Sequence, residues 1–467
     1  LRNQENNREN PGFWDRGGPY FRRKNHLPMK NPVFYCSFGL LLLIARCALG
    51  QGLVGGLPRQ AALEMTLRFV APNTARIAQV QPGGRAEAAG LRVDDQVTSI
   101  NGQPFADPVA LASLRASLRG GQPLRLALVR SGQPLTVAYT PAARPVENPP
   151  NSTAEYGSLA LADGTQLRTL VTRPRHKTGK LPAILLVQWL SCSSVEVPGP
   201  PTDGADLLVQ HFANHPDLVF MRVEKPGVGD SQGNCATCDL ATELQMHRAA
   251  LAALKKRPEV DTSRVYLLGI SLGAGLSAVL GQGQNIKGYL VTGACTTTWF
   301  EHMMELERRR LALSGIADPQ INARMGGYAT LYQKYYIEQM TPGQVVAQAP
   351  ALQNLWYDQP AHQYGRPAAF YHQVQALNFE AAWARVNVPV LALYGEYDWV
   401  MSLADHEKIV KLVNRNGAGL AELIVIPKAN HNLSVFATPQ QAFDETDGQL
   451  PDQLIGIVEN WWKKQRP

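Results

Sequence analysis

Val265-Tyr-Leu-Leu-Gly-Ile-Ser-Leu-Gly-Ala-Gly-Leu-Ser-Ala-Val-Leu280 is the stretch that decides the fold. An apolar run at 265–269 has the length and β-branched start of a buried strand. It leads into Gly269-Ile270-Ser271-Leu272-Gly273, and small and apolar residues then continue at helical spacing. A strand that turns at once into a helix leaves space only for small residues beside the turn. It also lifts the Ser271 hydroxyl clear of the sheet, next to a helix N-terminus that favours negative charge. Ser271 is therefore the candidate nucleophile.

Working outward, short apolar runs predict strands at 167–172, 183–189, 218–223, 265–269, 288–292, 390–394 and 423–426. Amphipathic patterns predict helices at 204–213, 240–256, 272–281, 403–414 and 451–463. Strands this apolar, alternating with helices, imply an α/β fold with a mostly parallel sheet covered on both faces. A second Gly-x-Ser-x-Gly occurs at Gly229-Asp-Ser231-Gln-Gly233. It follows Lys225-Pro226-Gly227, which already ends a strand, and no apolar helix begins at 234, so Ser231 reads as a loop residue.

The strand–Gly-Ile-Ser-Leu-Gly–helix unit resembles the nucleophile elbow of the α/β-hydrolases, and the resemblance extends over about 300 residues. The loop Glu224-Lys-Pro-Gly-Val-Gly-Asp-Ser-Gln-Gly233 looks most like the serine aminopeptidase and prolyl-oligopeptidase-like group. The family order of nucleophile, acid and base implies Asp398, in the strand-ending Gly-x-x-Asp at 395–398, and His431, in the loop after the run at 423–426. Glu396 is the rival acid. The resemblance further implies an oxyanion hole built from the backbone N–H of Leu272 and a second donor after the strand at 183–189. By position that donor is Leu190, with Trp189 next; the glycine usual in this loop is missing. A stretch of about 90 residues, 295–388, is longer than a crossover needs and reads as a helical cap. It has helical patterns at 301–313 and 329–340 and is rich in aromatics, among them Trp299, Tyr328, Tyr332, Tyr335, Tyr336, Trp356, Tyr357 and Phe370. These either line an acyl or peptide pocket or form the cap's own core.

Of six cysteines, Cys36 and Cys47 lie near the N-terminus; Cys192, Cys235, Cys238 and Cys295 lie in the large domain. Cys235-x-x-Cys238 stands alone, without a second pair or a histidine at ligand spacing, so a structural disulfide is favoured over zinc. In the implied fold all four fall at the active-site edge, and a Cys192–Cys235 bridge would pin the oxyanion loop to its neighbour. No metal and no organic cofactor are implied.

The N-terminal region reads as an address. Met29-Lys30 is a positive start, 33–45 an apolar stretch too short to span a bilayer, and Ala48-Leu49-Gly50 a small-residue cleavage site before Gln51. Residues 29–50 thus read as a signal peptide, with an uncleaved anchor as the alternative, and 1–28 as an upstream extension called too early. Export to a periplasm or the exterior follows, with no stable membrane span once the leader is removed.

Pro82-Gly-Gly-Arg-Ala-Glu-Ala-Ala-Gly-Leu-Arg-Val-Asp-Asp-Gln-Val-Thr-Ser-Ile-Asn-Gly102 resembles a PDZ domain of the bacterial type, with Asp94 in place of a usual glycine. The domain is expected over 60–140, followed by a proline-rich linker at 141–150 and the hydrolase-like domain at 151–467. PDZ domains bind C-terminal peptides by strand addition. The glycines of the usual carboxylate loop are absent near Leu63, so a degenerate domain is the alternative.

The composition, 45% hydrophobic and 18% charged over 467 residues, is globular. The net charge of +7 is concentrated at the start, where residues 1–50 hold eight Lys/Arg against three Asp/Glu. The nearly neutral remainder has no nucleic-acid footprint. The expected function is a secreted serine hydrolase of ester or amide bonds, with peptide bonds one reading, working through an acyl-enzyme. The alternatives are a PDZ-led binding module with an inactive hydrolase-like domain, or an acyltransferase using the same residues.

Overall fold

The computed structural model describes residues 53–54, 56–70, 72–356 and 362–465. The leader, its cysteines, the Gln51 cut and Tyr357 lie outside the described residues. The chain divides into two compact units between Arg144 and Pro145. Among the described residues no helix is long and apolar enough to cross a membrane.

The large unit is built on eight strands: β1 Ser152–Ala160, β2 Gln166–Pro174, β3 Leu181–Val187, β4 Val219–Val223, β5 Val260–Ile270, β6 Gly288–Thr292, β7 Val390–Gly395 and β8 Ala421–Ile426. Their order across the sheet is β1-β2-β4-β3-β5-β6-β7-β8, parallel except at β2, which runs antiparallel to both neighbours. Strands β4, β6 and β7 are buried at every residue, so both sheet faces are covered, as their uninterrupted apolar runs require.

Register brings the strand ends together. Val187 pairs with Gly269, Gly269 with Val291, and Gly395 with Ile426. The loops after β3, β5, β6, β7 and β8 therefore leave from one edge, which is where open α/β sheets build their sites.

Helices Gly204–Ala213, Leu240–Lys256 and Leu403–Asn414 begin where their caps dictate. Asp203, Asp239 and Ser402 each accept the N–H three residues on, at Asp206, Thr242 and Asp405. The C-terminal helix is Leu454–Lys464.

Three expectations change. Strand β1 was not foreseen; only its register with β2 along the sheet edge fixes it. The stretch 141–150 is not a free linker. Ala142 and Ala143 pair with Ala62 and Ala61 in the small unit, while Glu147 is buried against the Arg222 guanidinium at 2.6 Å. A proline-rich composition gave no sign that this carboxylate would find a buried partner. In the cap, the second helix starts earlier, at Asp318, and closes in a wider π turn at Gln333–Ile337. Cap helices Trp299–Leu313 and Ala368–Gln375 carry Trp299 and Phe370, which with Tyr328, Tyr332, Tyr335 and Tyr336 are buried in one continuous core. These six are core residues.

The small unit is a six-stranded antiparallel sheet, with Met65–Val70, Thr74–Val80, Gln96–Ile100, Leu124–Arg130 and Gln133–Tyr139 side by side and the short Gln103–Pro104 paired to Gln96–Ile100, together with the helix Pro108–Ser117. Leu67, Ile77, Leu91, Val97, Ile100, Leu111 and Leu126 form its core. Asp94 takes the left-handed backbone (φ 70°) that a glycine would supply and pairs with Arg76 at 2.9 Å.

Candidate active site

Ser271 sits between β5 and the helix Leu272–Leu280 at φ 57° and ψ −129°. This backbone is costly for a residue with a Cβ and is held by its surroundings. The Ser271 N–H donates to the Thr292 carbonyl at 2.8 Å. The flanking glycines are required by close approach. A Cβ on Gly269 would stand 2.7 Å from the Ala274 Cα, and one on Gly273 would overlap the Val187 carbonyl and lie 2.6 Å from the Gln188 carbonyl.

His431 Nε2 lies 3.0 Å from Ser271 Oγ, and His431 Nδ1 lies 2.9 Å from Asp398 Oδ2. The other Asp398 oxygen accepts the N–H groups of Val400 at 2.8 Å and Met401 at 2.9 Å. Burial alone would raise the Asp398 carboxyl. The adjacent His431 and the Met401 N–H outweigh it, holding the group below its ordinary value. Glu396, the rival acid, is exposed and accepts the Lys428 N–H at 2.7 Å. The loop carrying His431 is set by Asn430, whose side-chain oxygen accepts the N–H groups of Asn432 and Ser434.

The floor beneath the imidazole is Gly293, directly after β6, a residue that sequence reasoning missed. The segment that follows is clamped by the helix Leu403–Asn414. His406 Nε2 accepts the Ala294 N–H at 2.9 Å, and one Asp405 oxygen accepts from the Thr296 N–H and hydroxyl and the Thr297 N–H. Neither histidine nor aspartate carries a sequence signal beyond an ordinary helix start.

The Leu272 N–H opens the helix after Ser271. The Leu190 N–H has no hydrogen-bond partner among the described residues. Glu224, at the end of β4, holds the far end of the same loop through the Ser194 hydroxyl and the Val195 N–H.

The sequence model of the alpha/beta hydrolase family matches residues 188–446, more than half of the chain. The chain belongs to that family. A PDZ domain model matches residues 76–130. Among curated proteins none matches. Similar solved structures include Est1E from Butyrivibrio proteoclasticus, 14% identical, covering 66% of this chain and 99% of that one, with a TM-score of 0.39. An esterase of Pyrococcus furiosus is 12% identical, covering 68% and 97%, with a TM-score of 0.41. A hypothetical protein of Pseudomonas aeruginosa is 15% identical, covering 67% and 94%, with a TM-score of 0.40. These likenesses are too distant to bear on substrate.

In this alpha/beta hydrolase, Cys192 and Cys235 are joined in a disulfide, and Cys238 and Cys295 are buried thiols. Burial pushes the Cys238 thiol up to about 11. Ser231, in the second Gly-x-Ser-x-Gly, is structural: its hydroxyl accepts the Arg168 N–H and donates to the Glu224 carbonyl. Asp230 beside it is buried against Arg168 at 2.9 Å.

Among the described residues, His211, His215 and Glu459 bring three metal-ligating atoms together. Both Nε2 atoms lie within hydrogen-bond distance of Glu459 Oε1, at 2.9 and 3.0 Å. The Asp217 N–H donates to His215 Nδ1 at 3.1 Å, so that nitrogen is bare and the neutral ring carries its proton on Nε2. A protonated Nε2 offers a metal no lone pair. The cluster ties the helix Gly204–Ala213 to the C-terminal helix by hydrogen bonds.

Proposed function

We propose that the protein is a serine hydrolase that cleaves ester or amide bonds through Ser271, His431 and Asp398. The observation that carries this reading is the continuous relay from Ser271 Oγ through both His431 nitrogens to a buried, ionised Asp398. Ser271 Oγ attacks the substrate carbonyl carbon while His431 Nε2 takes its proton. The tetrahedral oxyanion is held by the N–H groups of Leu272 and Leu190. His431 returns the proton to the leaving alcohol or amine, leaving an acyl group on Ser271. Water, deprotonated by His431, then attacks the acyl carbon, and Ser271 departs with the proton. Asp398 keeps the His431 Nδ1 proton in place and stabilises the ring when it is charged.

An exported, oxidising setting fits the Cys192–Cys235 disulfide and the leader-like sequence at 29–50. The PDZ unit leaves Met65–Val70 at one edge of its sheet, which suits capture of a peptide C-terminus by strand addition. That favours peptides or protein termini among the substrates.

A fluorophosphonate probe tests the reading. Labelling mapped to Ser271 by mass spectrometry, and lost in Ser271→Ala and His431→Ala, is the expected result. Absence of labelling on folded wild-type protein would remove it.

A further inference from the structure

Three buried charges meet beneath the loop after β3, and no step above uses them. Lys225, Glu243 and Arg366 are all fully buried. They come from the end of β4, from the helix Leu240–Lys256 and from the cap. Glu243 holds both cations, Lys225 Nζ at 3.1 Å through one oxygen and Arg366 through the other. Arg366 also stacks on Phe370 at 4.1 Å and points a guanidinium nitrogen at Cys235 Sγ, 2.9 Å away.

Interring such a triad is expensive, and an apolar replacement of similar volume is commonly no less stable. What it does locally is specific. The Lys225 ammonium donates to three successive carbonyls, those of Trp189, Leu190 and Ser191, the last two at 3.2 Å. A trans peptide is planar, so the C=O of one residue and the N–H of the next point in opposite directions. Drawing the Trp189 carbonyl onto Lys225 therefore turns the Leu190 N–H away from Lys225. Residues 188–194 include no glycine that would make this conformation easy. Three carbonyls gathered on one cation hold it instead.

We propose that Lys225, anchored by Glu243 and Arg366, is the positioning residue of the oxyanion loop and aims the Leu190 N–H as the second oxyanion donor. This rests on the serine hydrolase reading. The effect belongs to the transition state, because the donor is needed where charge develops and not where the substrate merely binds.

The test uses Lys225→Met in the full chain, with p-nitrophenyl acetate as substrate and a phenyl trifluoromethyl ketone as mimic of the tetrahedral adduct. Loss of an oxyanion donor costs about 100- to 1,000-fold, so a misaimed one is expected to lower kcat roughly 10- to 100-fold. KM stays within about threefold, and ketone affinity falls by the same factor as kcat/KM. A folded variant with unchanged kcat, or one whose loss lies wholly in KM, would overturn the proposal. Glu243→Gln releases the anchor without removing Lys225 and is expected to give a smaller loss with the same split; it carries the test should Lys225→Met fail to fold. Independently of any variant, phosphonylation of wild-type Ser271 is expected to slow hydrogen exchange at the Leu190 amide. Unchanged exchange there also overturns the assignment. If wild-type Ser271 does not label at all, the hydrolase reading falls, and that outcome is separate from these.

Discussion

Gly293 and His431 are in contact across the site: a Cβ on Gly293 would stand 2.6 Å from the imidazole Cε1 and 3.1 Å from Nδ1. The Gly293 backbone is also left-handed, at φ 62°. Gly293→Ala is expected to displace the ring from Ser271 Oγ. A misplacement near 1 Å costs about 100-fold in rate, whereas the backbone strain costs only about 1–2 kcal/mol. Rates of fluorophosphonate labelling and a melting curve separate the two effects. A variant that labels at the wild-type rate would show that the ring does not need this floor.

The two carboxylates at the end of β7 make opposite predictions. Asp398→Asn offers His431 an amide that can donate to Nδ1 and favour the wrong tautomer, and is expected to lower kcat by about 10⁴-fold, the effect of the same replacement in a Ser-His-Asp triad. Glu396→Gln alters an exposed turn bond to Lys428 and is expected to leave kcat within about twofold. Steady-state kinetics on both variants decide between the acids; equal losses would reopen the choice.

Acid is expected to destabilise the large unit before its carboxylates titrate. His247 and His302 are buried, and burial lowers each from 6.5 to about 4. Among the described residues neither His247 nitrogen has a hydrogen-bond partner. The unfolded chain takes up these protons first, so stability is full above about pH 6.5 and is lost as pH falls toward 4. At one pKa unit to about 1.4 kcal/mol, each ring removes about 2 kcal/mol by pH 5. His247→Leu is expected to narrow the gap between melting temperatures at pH 7.5 and pH 5. An unchanged gap would mean that His247 is not kept neutral by the fold.

Reduction of the disulfide is expected to proceed from one side. Cys192 is partly exposed while Cys235 is buried with the Arg366 guanidinium on its sulfur. A dithiothreitol thiolate attacks Cys192 Sγ, the S–S bond breaks, and Cys235 leaves as a thiolate against Arg366. The second thiol of the reagent then frees Cys192. Forty-three residues separate the two cysteines, and opening a loop of that size releases about 4 kcal/mol of chain entropy in the unfolded state. The melting temperature of the large unit is expected to fall by roughly 6 °C. Calorimetry with and without reductant, with thiols counted by mass, checks this. Full reduction without a shift would assign the bridge no stabilising role.

Much of this was legible because the signals were local. The amphipathic patterns at 204–213, 240–256 and 403–414 are helices over those residues, and the apolar runs at 218–223, 288–292 and 390–394 are strands. Ser271 was placed from a strand end followed by a turn, and Asp398 and His431 from the order that the family resemblance implies; His431 stands within hydrogen-bond distance of both. Strand β1 escaped because 152–160, an edge strand with only Ser152 and Tyr156 buried, has no apolar run. Lys225, Glu243 and Arg366 escaped for another reason. Charged residues read as surface, and nothing local shows that a lysine and an arginine 141 positions apart share one carboxylate. Gly293 is one of 40 glycines, and only the ring above it distinguishes it.

Arg366 also bears on how molecules enter and leave. It belongs to the cap, yet its guanidinium is sunk in the body, and Gln373 nearby donates to Asp239 and accepts the Ala241 N–H. Swinging the cap away as one piece would draw a cation out of the interior and leave Glu243 with half its compensation. The cap is thus riveted rather than hinged at this end. Any opening toward Ser271 therefore has to come from shifts of segments remote from Arg366.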